Sequence, residues 1–366
     1  MIRQLTSFTL RVIAIVNVAL IVVMLFTGFA DRIDPVNRPI LAVAGITFPI
    51  FLLINTAFLV FWIIFRWRWA LIPLIGFLTS FMPIRTYMPY NLRHDVPEGA
   101  IKIMSYNVQA FNGKNWGDES AAERIMKYIE DCDADIVCLQ EDMGYCRNKI
   151  KAQLDSLYPY TKNMMYHTPM GGNGQGVYSR FPILSVEKIN YESAGNASYA
   201  YFLDIRGDTV LLVNNHFESN HFSYEDKRRY KEMLKGGLQG DIEGDTVKNE
   251  SKFIVRKLAD AGVKRAPQAD SVHIYIEKHR KYPIITCGDF NDNPISYTHR
   301  TVAKGLIDCY VSSGRGVGSS YNQKGFFVRI DNIMCSDNFI AYNCTVDNRI
   351  DASDHYPIFC WLEKAY

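Results

Sequence analysis

The first 94 residues contain no Lys and no Glu, and three apolar runs fill most of them. The first, residues 12–30, follows Arg3 and Arg11 and has about the length that a bilayer-spanning helix needs, roughly 20 residues. A cleaved signal peptide has a shorter apolar run and a small-residue cleavage site, whereas here a second run, residues 40–65, follows almost at once. The first run therefore reads as a retained anchor. The third, residues 69–84, is 16 residues long and carries Pro73, Gly76 and Pro83, so it must thin the bilayer or lean on its neighbours. Arg3 and Arg11 precede the first run and Arg66 and Arg68 separate the second from the third, while the first connection mixes Arg32 and Arg38 with Asp31 and Asp34. That asymmetry favours an inside amino terminus, and Trp62, Trp67 and Trp69 fit an interfacial belt at the same face. Three spans put the rest of the chain outside the cytoplasm; a re-entrant third segment puts it inside.

Charge divides along the same line. The first 94 residues hold eight Arg against two Asp, net +6, and the remainder holds 32 basic against 36 acidic residues, net −4. A polynucleotide clamp carries a strong positive patch, and an acidic remainder does not offer one. All eight cysteines fall after residue 131. Cys138, Cys287 and Cys360 lie in apolar runs and read as buried thiols. Cys335 and Cys344 flank a hairpin and could pair in an oxidising compartment, and the lack of a Cys-x-x-Cys pair excludes a zinc ribbon.

Residues 85–99 read as a linker, after which strands and helices alternate. The pattern predicts a strand over 100–108 ending at Asn107, a helix over 119–131, a strand over 134–141 ending at Gln140 and Glu141, and a helix over 149–157. A glycine-dense stretch, 171–176, feeds an apolar run to 183; residues 199–205 and 209–216 form a strand pair around Gly207-Asp208, the second ending at Asn214-Asn215-His216. Residues 220–281 have the pattern of two helices with a loop near 236–245. Residues 326–335 and 339–346 are expected as a further strand pair, and a last strand follows Ser353-Asp354-His355 over 356–362. Helix-covered and paired strands in this order give a four-layer α/β sandwich, two packed mixed sheets flanked by helices. The domain so defined covers 95–366.

The sharpest local feature is Pro283-Ile284-Ile285-Thr286-Cys287-Gly288-Asp289-Phe290-Asn291, an apolar β-prone run that stops at a glycine and then presents an acid and an amide. Four other strand-like runs end in polar residues, at Asn107, Glu141, Asn214 with His216, and Asp354 with His355. Asp331 sits inside the apolar Arg329-Ile330-Asp331-Asn332-Ile333-Met334, where an acid is costly unless something pairs with it. Taken together the set is rich in oxygen, with two histidines and no cysteine. Such a set suits Mg²⁺, or Mn²⁺, held by a few carboxylates and waters.

Ser105-Tyr106-Asn107, Gln140-Glu141, Asn214-Asn215-His216, Gly288-Asp289-Phe290-Asn291, Arg329-Ile330-Asp331 and Ser353-Asp354-His355, in this order and at these separations, resemble the endonuclease/exonuclease/phosphatase superfamily in a membrane-anchored bacterial form. The resemblance covers essentially residues 100–366 and implies a metal-dependent phosphoesterase working by in-line water attack. By it, Glu141 is the principal Mg²⁺ ligand, with Asn107 and Asp354 close to the metal or its water shell. His355 contacts the scissile phosphate and is oriented by Asp331. Asp289 positions or deprotonates the attacking water, Asn291 donates to a phosphoryl oxygen, and His216 is a general acid or a second phosphate contact. Each residue alone has a blander reading as a turn former or a solvated edge; six motifs in register do not. Tyr178 and Arg180 read as structural rather than substrate-binding.

The expected substrate is a phosphate ester, whether a lipid headgroup, a phosphosugar or a nucleic acid, and no protein partner is implied. The expected location is the bacterial inner membrane with the catalytic domain on the periplasmic side. An extracytoplasmic nuclease is the alternative, and a non-catalytic membrane receptor that kept the fold is a further one. Presence of His216 resembles the deoxyribonuclease, sphingomyelinase and 5-phosphatase branches more than the apurinic-site branch. Residues 220–262 have no counterpart, and their place directly after His216 bears on substrate access.

Overall fold

The computed structural model describes residues 2–365 apart from 115–116, 144–146, 169–170, 224, 227, 230–231, 233–243 and 324–325. Twelve strands form among the described residues: β1 Ile101–Asn107, β2 Ile136–Gln140, β3 Tyr160–Thr168, β4 Gly171–Ser179, β5 Ile183–Ile189, β6 Ser198–Ile205, β7 Asp208–His216, β8 Ile284–Asp289, β9 Ile307–Asp308, β10 Asp331–Cys335, β11 Phe339–Val346 and β12 Ile358–Lys364. They make two six-stranded sheets, ordered β11-β12-β1-β2-β4-β3 and β5-β6-β7-β8-β10-β9. Each sheet is mixed. β1 runs parallel to β2 and β7 parallel to β8, and the other neighbours are antiparallel.

The inner faces pack on each other through Ile103, Cys138, Tyr201, Leu212, Cys287 and Ile333. Outside the first sheet lies α6 (Ala121–Cys132), whose apolar residues recur every three or four positions, so that Ile125, Met126 and Ile129 fall on one buried face. Each such side chain contributes on the order of 2 kcal/mol when taken out of water. α7 (Arg147–Leu157) lies on the same side with Ile150 and Leu154, and α8 (Gly244–Lys278) covers the second sheet with Ala269, Val272 and Ile276. The result is the four-layer α/β sandwich.

Several expectations are corrected. β10 and β11 are not partners: β10 pairs with β8 and β9 in the second sheet and β11 with β12 in the first, so residues 336–338 cross between sheets. β10 also begins at Asp331 rather than at residue 326. The glycine-dense stretch is itself strand β4, and β3, polar and Met-rich, pairs along its full length. The second of the two helices expected over 220–281 is present as Gly244–Lys278 and passes through Pro267, while the loop expected near 236–245 lies largely outside the described residues. Cys335 packs beside Cys309, sulfur to sulfur 3.6 Å, rather than beside Cys344, and the described cysteines are all free thiols.

The amino-terminal region is helical: α1 Ile2–Gly28, a turn α2 Pro39–Ala42, α3 Phe48–Arg66, α4 Leu71–Thr79 and α5 Phe81–Tyr87. Two stretches, Phe8–Gly28 and Pro39–Thr79, are long and apolar enough to cross a membrane, with mean hydropathies of 2.5 and 2.4. Large apolar side chains stand exposed on their outer faces, Ile15, Leu53 and Leu78 among them. Inside, Asn17 and Asn55 bond at 3.0 Å, and the Trp62 indole N–H donates to Asn17 Oδ1 at 3.0 Å. Polar side chains between apolar helices act as such glue. Trp62 is therefore fully buried between helices, its ring 5.2 Å from that of Trp69, whereas Trp67 is exposed. Gly76 sits where a Cβ would meet Ile21 at 2.9 Å, which lets α4 close on α1.

This region is docked on the sandwich. Gly45 lies where a Cβ would come within 2.2 Å of the Ile295 carbonyl, and Ile295 is buried with Met24, Phe48 and Tyr87. Arg300 pairs with Asp31 at 3.4 Å, the Tyr87 hydroxyl donates to the Phe327 carbonyl at 3.1 Å, and the fully buried Arg329 donates to the Thr86 carbonyl at 2.9 Å.

Candidate active site

Because β1 and β2 run parallel in one sheet and β7 and β8 in the other, and both pairs end at the same edge of the sandwich, their terminal residues converge there. Asn107 closes β1, Glu141 follows β2, His216 closes β7 and Asp289 closes β8; antiparallel β10 opens at that edge with Asp331 directly opposite Asp289. His355 bridges to Tyr321 just before β12. Gly288 makes the convergence possible. Its φ is +129°, and a Cβ there would meet the Asn215 carbonyl at 2.0 Å. Glu141 takes φ +55°, a left-handed conformation that costs about 1 kcal/mol for a residue with a Cβ and that recurs where a side chain must be aimed.

The geometry is tight. His355 Nδ1 lies 2.9 Å from Asp331 Oδ2, and its Nε2 lies 3.6 Å from Asp289 Oδ2. His216 Nε2 lies 3.7 Å from the same Asp289 oxygen and 3.9 Å from Glu141 Oε1, with no hydrogen-bond partner of its own. Asn107 donates from Nδ2 to Glu141 at 3.2 Å and to Asp289 at 3.1 Å, while its oxygen accepts from the Gln109 N–H at 3.1 Å. It thus ties the two carboxylates together. Asn291 donates its backbone N–H to Asp289 Oδ1 at 2.8 Å and its amide to Asp289 Oδ2 at 3.3 Å and the Phe217 carbonyl at 3.0 Å. Both of its amide hydrogens are engaged, so in this arrangement it holds Asp289. The Asp354 backbone N–H donates to Gln109 Oε1 at 3.1 Å.

Burial and neighbouring charge set the protonation states. Burial opposes a charge on His355, but Asp331 and Asp289 overcome it and push the imidazole up to about 10. Burial brings His216 down to about 4. Burial at the cavity floor, reinforced by the charge of Asp354, pushes Glu141 up to about 7, and burial also raises Asp289. Around neutral pH the site therefore pairs a charged imidazole with a neutral one.

Two acids that repel each other beside a buried, acid-rich floor fit a divalent cation, which relieves that repulsion and takes oxygen donors. Glu141 and Asp354 both stand at that floor. Asp289, Asp331 and His355 also bring ligand atoms within 4.8 Å of one another. Within that trio Asp331 Oδ2 lies 2.9 Å from His355 Nδ1.

Several contributors were not legible in the sequence. Tyr321 packs edge-on to His355, ring centroids 5.4 Å apart; Gln109 orients Asp354; Asn173 approaches His216 Nδ1 at 3.4 Å. Asn214 serves structure, accepting from Gln140 at 2.7 Å to stitch the sheets together. Tyr178 is buried with its hydroxyl on Asp142, and Arg180 pairs with Asp133 and Asp135, so both are structural. A cavity of about 290 Å³ opens over the cluster, with Glu141, Asp289, Asn291, Asp354 and His355 in its wall.

The model of the Endonuclease/Exonuclease/phosphatase family matches residues 104–355, bracketing the site from Asn107 to His355. The chain belongs to that family. It is accordingly a metal-dependent hydrolase of phosphate ester bonds. A second family model, a domain of unknown function (DUF8431), matches residues 10–87. None of the curated proteins matches the sequence. Solved structures of similar fold include an endonuclease/exonuclease/phosphatase from Beutenbergia cavernae DSM 12333 (TM-score 0.51, 15% identity, covering 73% of this chain and 72% of that one). The human Nocturnin catalytic domain with bound sulfate anion is another (0.51, 15%, 75% and 96%), as is TDP2 from Caenorhabditis elegans (0.50, 17%, 82% and 85%). At these identities the likeness is one of fold.

Proposed function

We propose that the chain is an integral membrane, Mg²⁺-dependent phosphoesterase that hydrolyses a phosphodiester or phosphomonoester by in-line attack of water on the outer side of a bacterial inner membrane. The observation that carries this reading is the His355 imidazole, held by Asp331 and facing Asp289 on the floor of a cavity. His355 binds a phosphoryl oxygen with its charge, and Asp331 fixes the ring and keeps it protonated. Asp289, steadied by Asn107 and Asn291, orients the water and draws off its proton. His216 is neutral. With Nδ1 toward the Asn173 amide it carries its proton on the unpartnered Nε2, which suits a second phosphate contact better than a general acid. Mg²⁺, or Mn²⁺, held by Glu141 and Asp354 with Asn107 beside them, would supply neutralisation of the charge that builds on the phosphoryl oxygens.

Three crossings support the outward orientation. The connection after α1 and the exit of α5 at Thr86 and Tyr87 both touch the sandwich, so both ends lie on one side. With an inside amino terminus and a crossing by α3, a return of 71–87 across the bilayer fits this; at about 1.5 Å per residue it would span about 25 Å, close to the hydrocarbon thickness. Replacing Asp289 or His355 with Ala is expected to abolish hydrolysis of bis-p-nitrophenyl phosphate by the purified protein; wild-type rates in both variants would remove these residues from the mechanism.

A further inference from the structure

The cavity over the site is not closed by the sandwich alone. One wall is the connection between α1 and α3: Pro35, Pro39, Ala42, Val43 and Ile46 line it, opposite the catalytic residues. Ile254 and Leu258 of α8 continue this apolar surface, and Phe222 and Phe326 face it. The connection is firmly seated. A Cβ at Gly45 would meet the Ile295 carbonyl, one at Gly262 would come within 3.7 Å of Pro35, and Asp31 pairs with Arg300. Next to the cavity wall, Val36, Ile40 and Leu41 stand exposed, and Ile46 is 41% exposed within the wall itself. A run of exposed apolar side chains directly after α1 is unusual for a surface facing only water.

Charge among the described residues of the cavity disfavours one large class of occupant. Among the described residues its only Arg or Lys is Arg265, and that guanidinium is already committed to Asp292, the Glu218 carbonyl and Asn220. Against it stand Glu141, Asp289, Asp292 and Asp354. Polynucleotides are held by many Lys and Arg contacts to phosphates, which the described residues of this wall do not offer. The cavity's size, about 290 Å³, suits a small molecule, or one segment of a longer one.

We propose that residues 31–46 are a working wall of the substrate pocket, and that this wall seats the hydrocarbon portion of an amphiphilic phosphate ester drawn from the bilayer while its phosphate reaches Asp289 and His355. The inference rests on the phosphoesterase reading and adds its substrate class. The membrane region is then part of the active site as well as its anchor. An ester entering from the lipid surface meets the exposed Ile40 and Leu41 first, slides along Val43 and Ile46, and presents its phosphate to the floor. Soluble phosphosugars and oligonucleotides gain nothing from this wall.

The test uses the full chain in dodecyl maltoside micelles and a series of alkyl p-nitrophenyl phosphodiesters, methyl, butyl, octyl and dodecyl, which share one reacting centre. Wild-type kcat/KM is expected to rise on the order of 30-fold from methyl to octyl, a modest share of what seven buried methylenes can contribute. Micelle partition helps every variant alike, so the informative quantity is how the rise changes. In V43S/I46S the rise is expected to shrink to about threefold or less. Ala42→Trp, which fills the groove, is expected to move the preferred tail to a shorter length, a change that a poorly folded protein cannot produce. A flat series in the wild type, or a rise untouched in all variants, overturns the inference while leaving the phosphoesterase reading standing. No turnover of any ester by the wild type, the methyl ester included, overturns the phosphoesterase reading and the inference with it.

Discussion

Asp331 illustrates how one residue sets the state of another. Its carboxylate and that of Asp289 hold His355 charged against the penalty of burial, up to about 10. The active form is the protonated one, so wild-type activity is expected to stay flat through the neutral range and to fall only as pH approaches that value. In Asp331→Asn the alkaline fall should move down toward the ordinary histidine range, with kcat/KM on bis-p-nitrophenyl phosphate reduced about 10²- to 10⁴-fold. A pH–rate profile with an unchanged alkaline limb would detach Asp331 from His355. Glu141 works with the opposite sign. Its metal-free carboxyl is pushed up to about 7 from 4.5, so the folded apo protein binds more protons than the unfolded chain between those values and loses stability as pH rises through them. Mg²⁺ competes with that proton. The rise in melting temperature on adding Mg²⁺ should therefore be larger at pH 8 than at pH 6, and an equal rise at both would contradict the assignment of Glu141. The pairing of Asp331 was foreseeable from its apolar surroundings, and its partner came only with the family resemblance. The engagement of both Asn291 amide hydrogens depends on the Phe217 carbonyl, which no local pattern announces.

At the scale of elements, what reads out of the sequence is the strand that ends in a polar residue. β1, β2, β7 and β8 are apolar runs closed by Asn107, Gln140 with Glu141, His216 and Asp289, and all are found within a residue or two of their expected places. β3 is obscured because its side chains are polar, and β4 because a strand buried against its neighbours can carry glycines: a Cβ at Gly176 would meet Asp142 Oδ2 at 2.3 Å. The supposed β10–β11 hairpin failed because adjacency in sequence says nothing about which sheet a strand joins. Gly288 gives the clearest element-level prediction. Gly288→Ala drives a methyl into the Asn215 carbonyl in a left-handed conformation, so it should cost several kcal/mol of stability, roughly 2–4, and lower the melting temperature. Gly45→Ala is the matching probe of the docked connection. Contact with the Ile295 carbonyl should displace it at about 1–3 kcal/mol, with protease cleavage near residues 31–46 appearing under native conditions. Unchanged resistance to cleavage would mean that the connection is not seated as described.

For the whole molecule, the sequence announces an apolar helical region and an α/β-sandwich phosphoesterase, but not that one builds part of the other's pocket. That arrangement depends on contacts between residues 31–46 and residues 254–300, and no periodicity or motif reaches across such a separation. Trp62 shows the same limit, since its place between helices depends on Asn17 and Asn55 rather than on its neighbours in sequence. Sidedness belongs to this scale as well: with three crossings, protease added to intact spheroplasts should digest the catalytic domain, and full protection would place it in the cytoplasm. Metal dependence at the floor of the site is the claim on which everything else stands. The most direct measurement is hydrolysis of bis-p-nitrophenyl phosphate by the full chain, stripped with EDTA and titrated with Mg²⁺, in the wild type and in Glu141→Gln. The account predicts no turnover after stripping, full recovery with Mg²⁺, and at least a tenfold higher Mg²⁺ requirement in the variant, of the order seen when one metal contact is lost. Turnover that survives EDTA, or a Glu141→Gln titration that overlays the wild type, would contradict it.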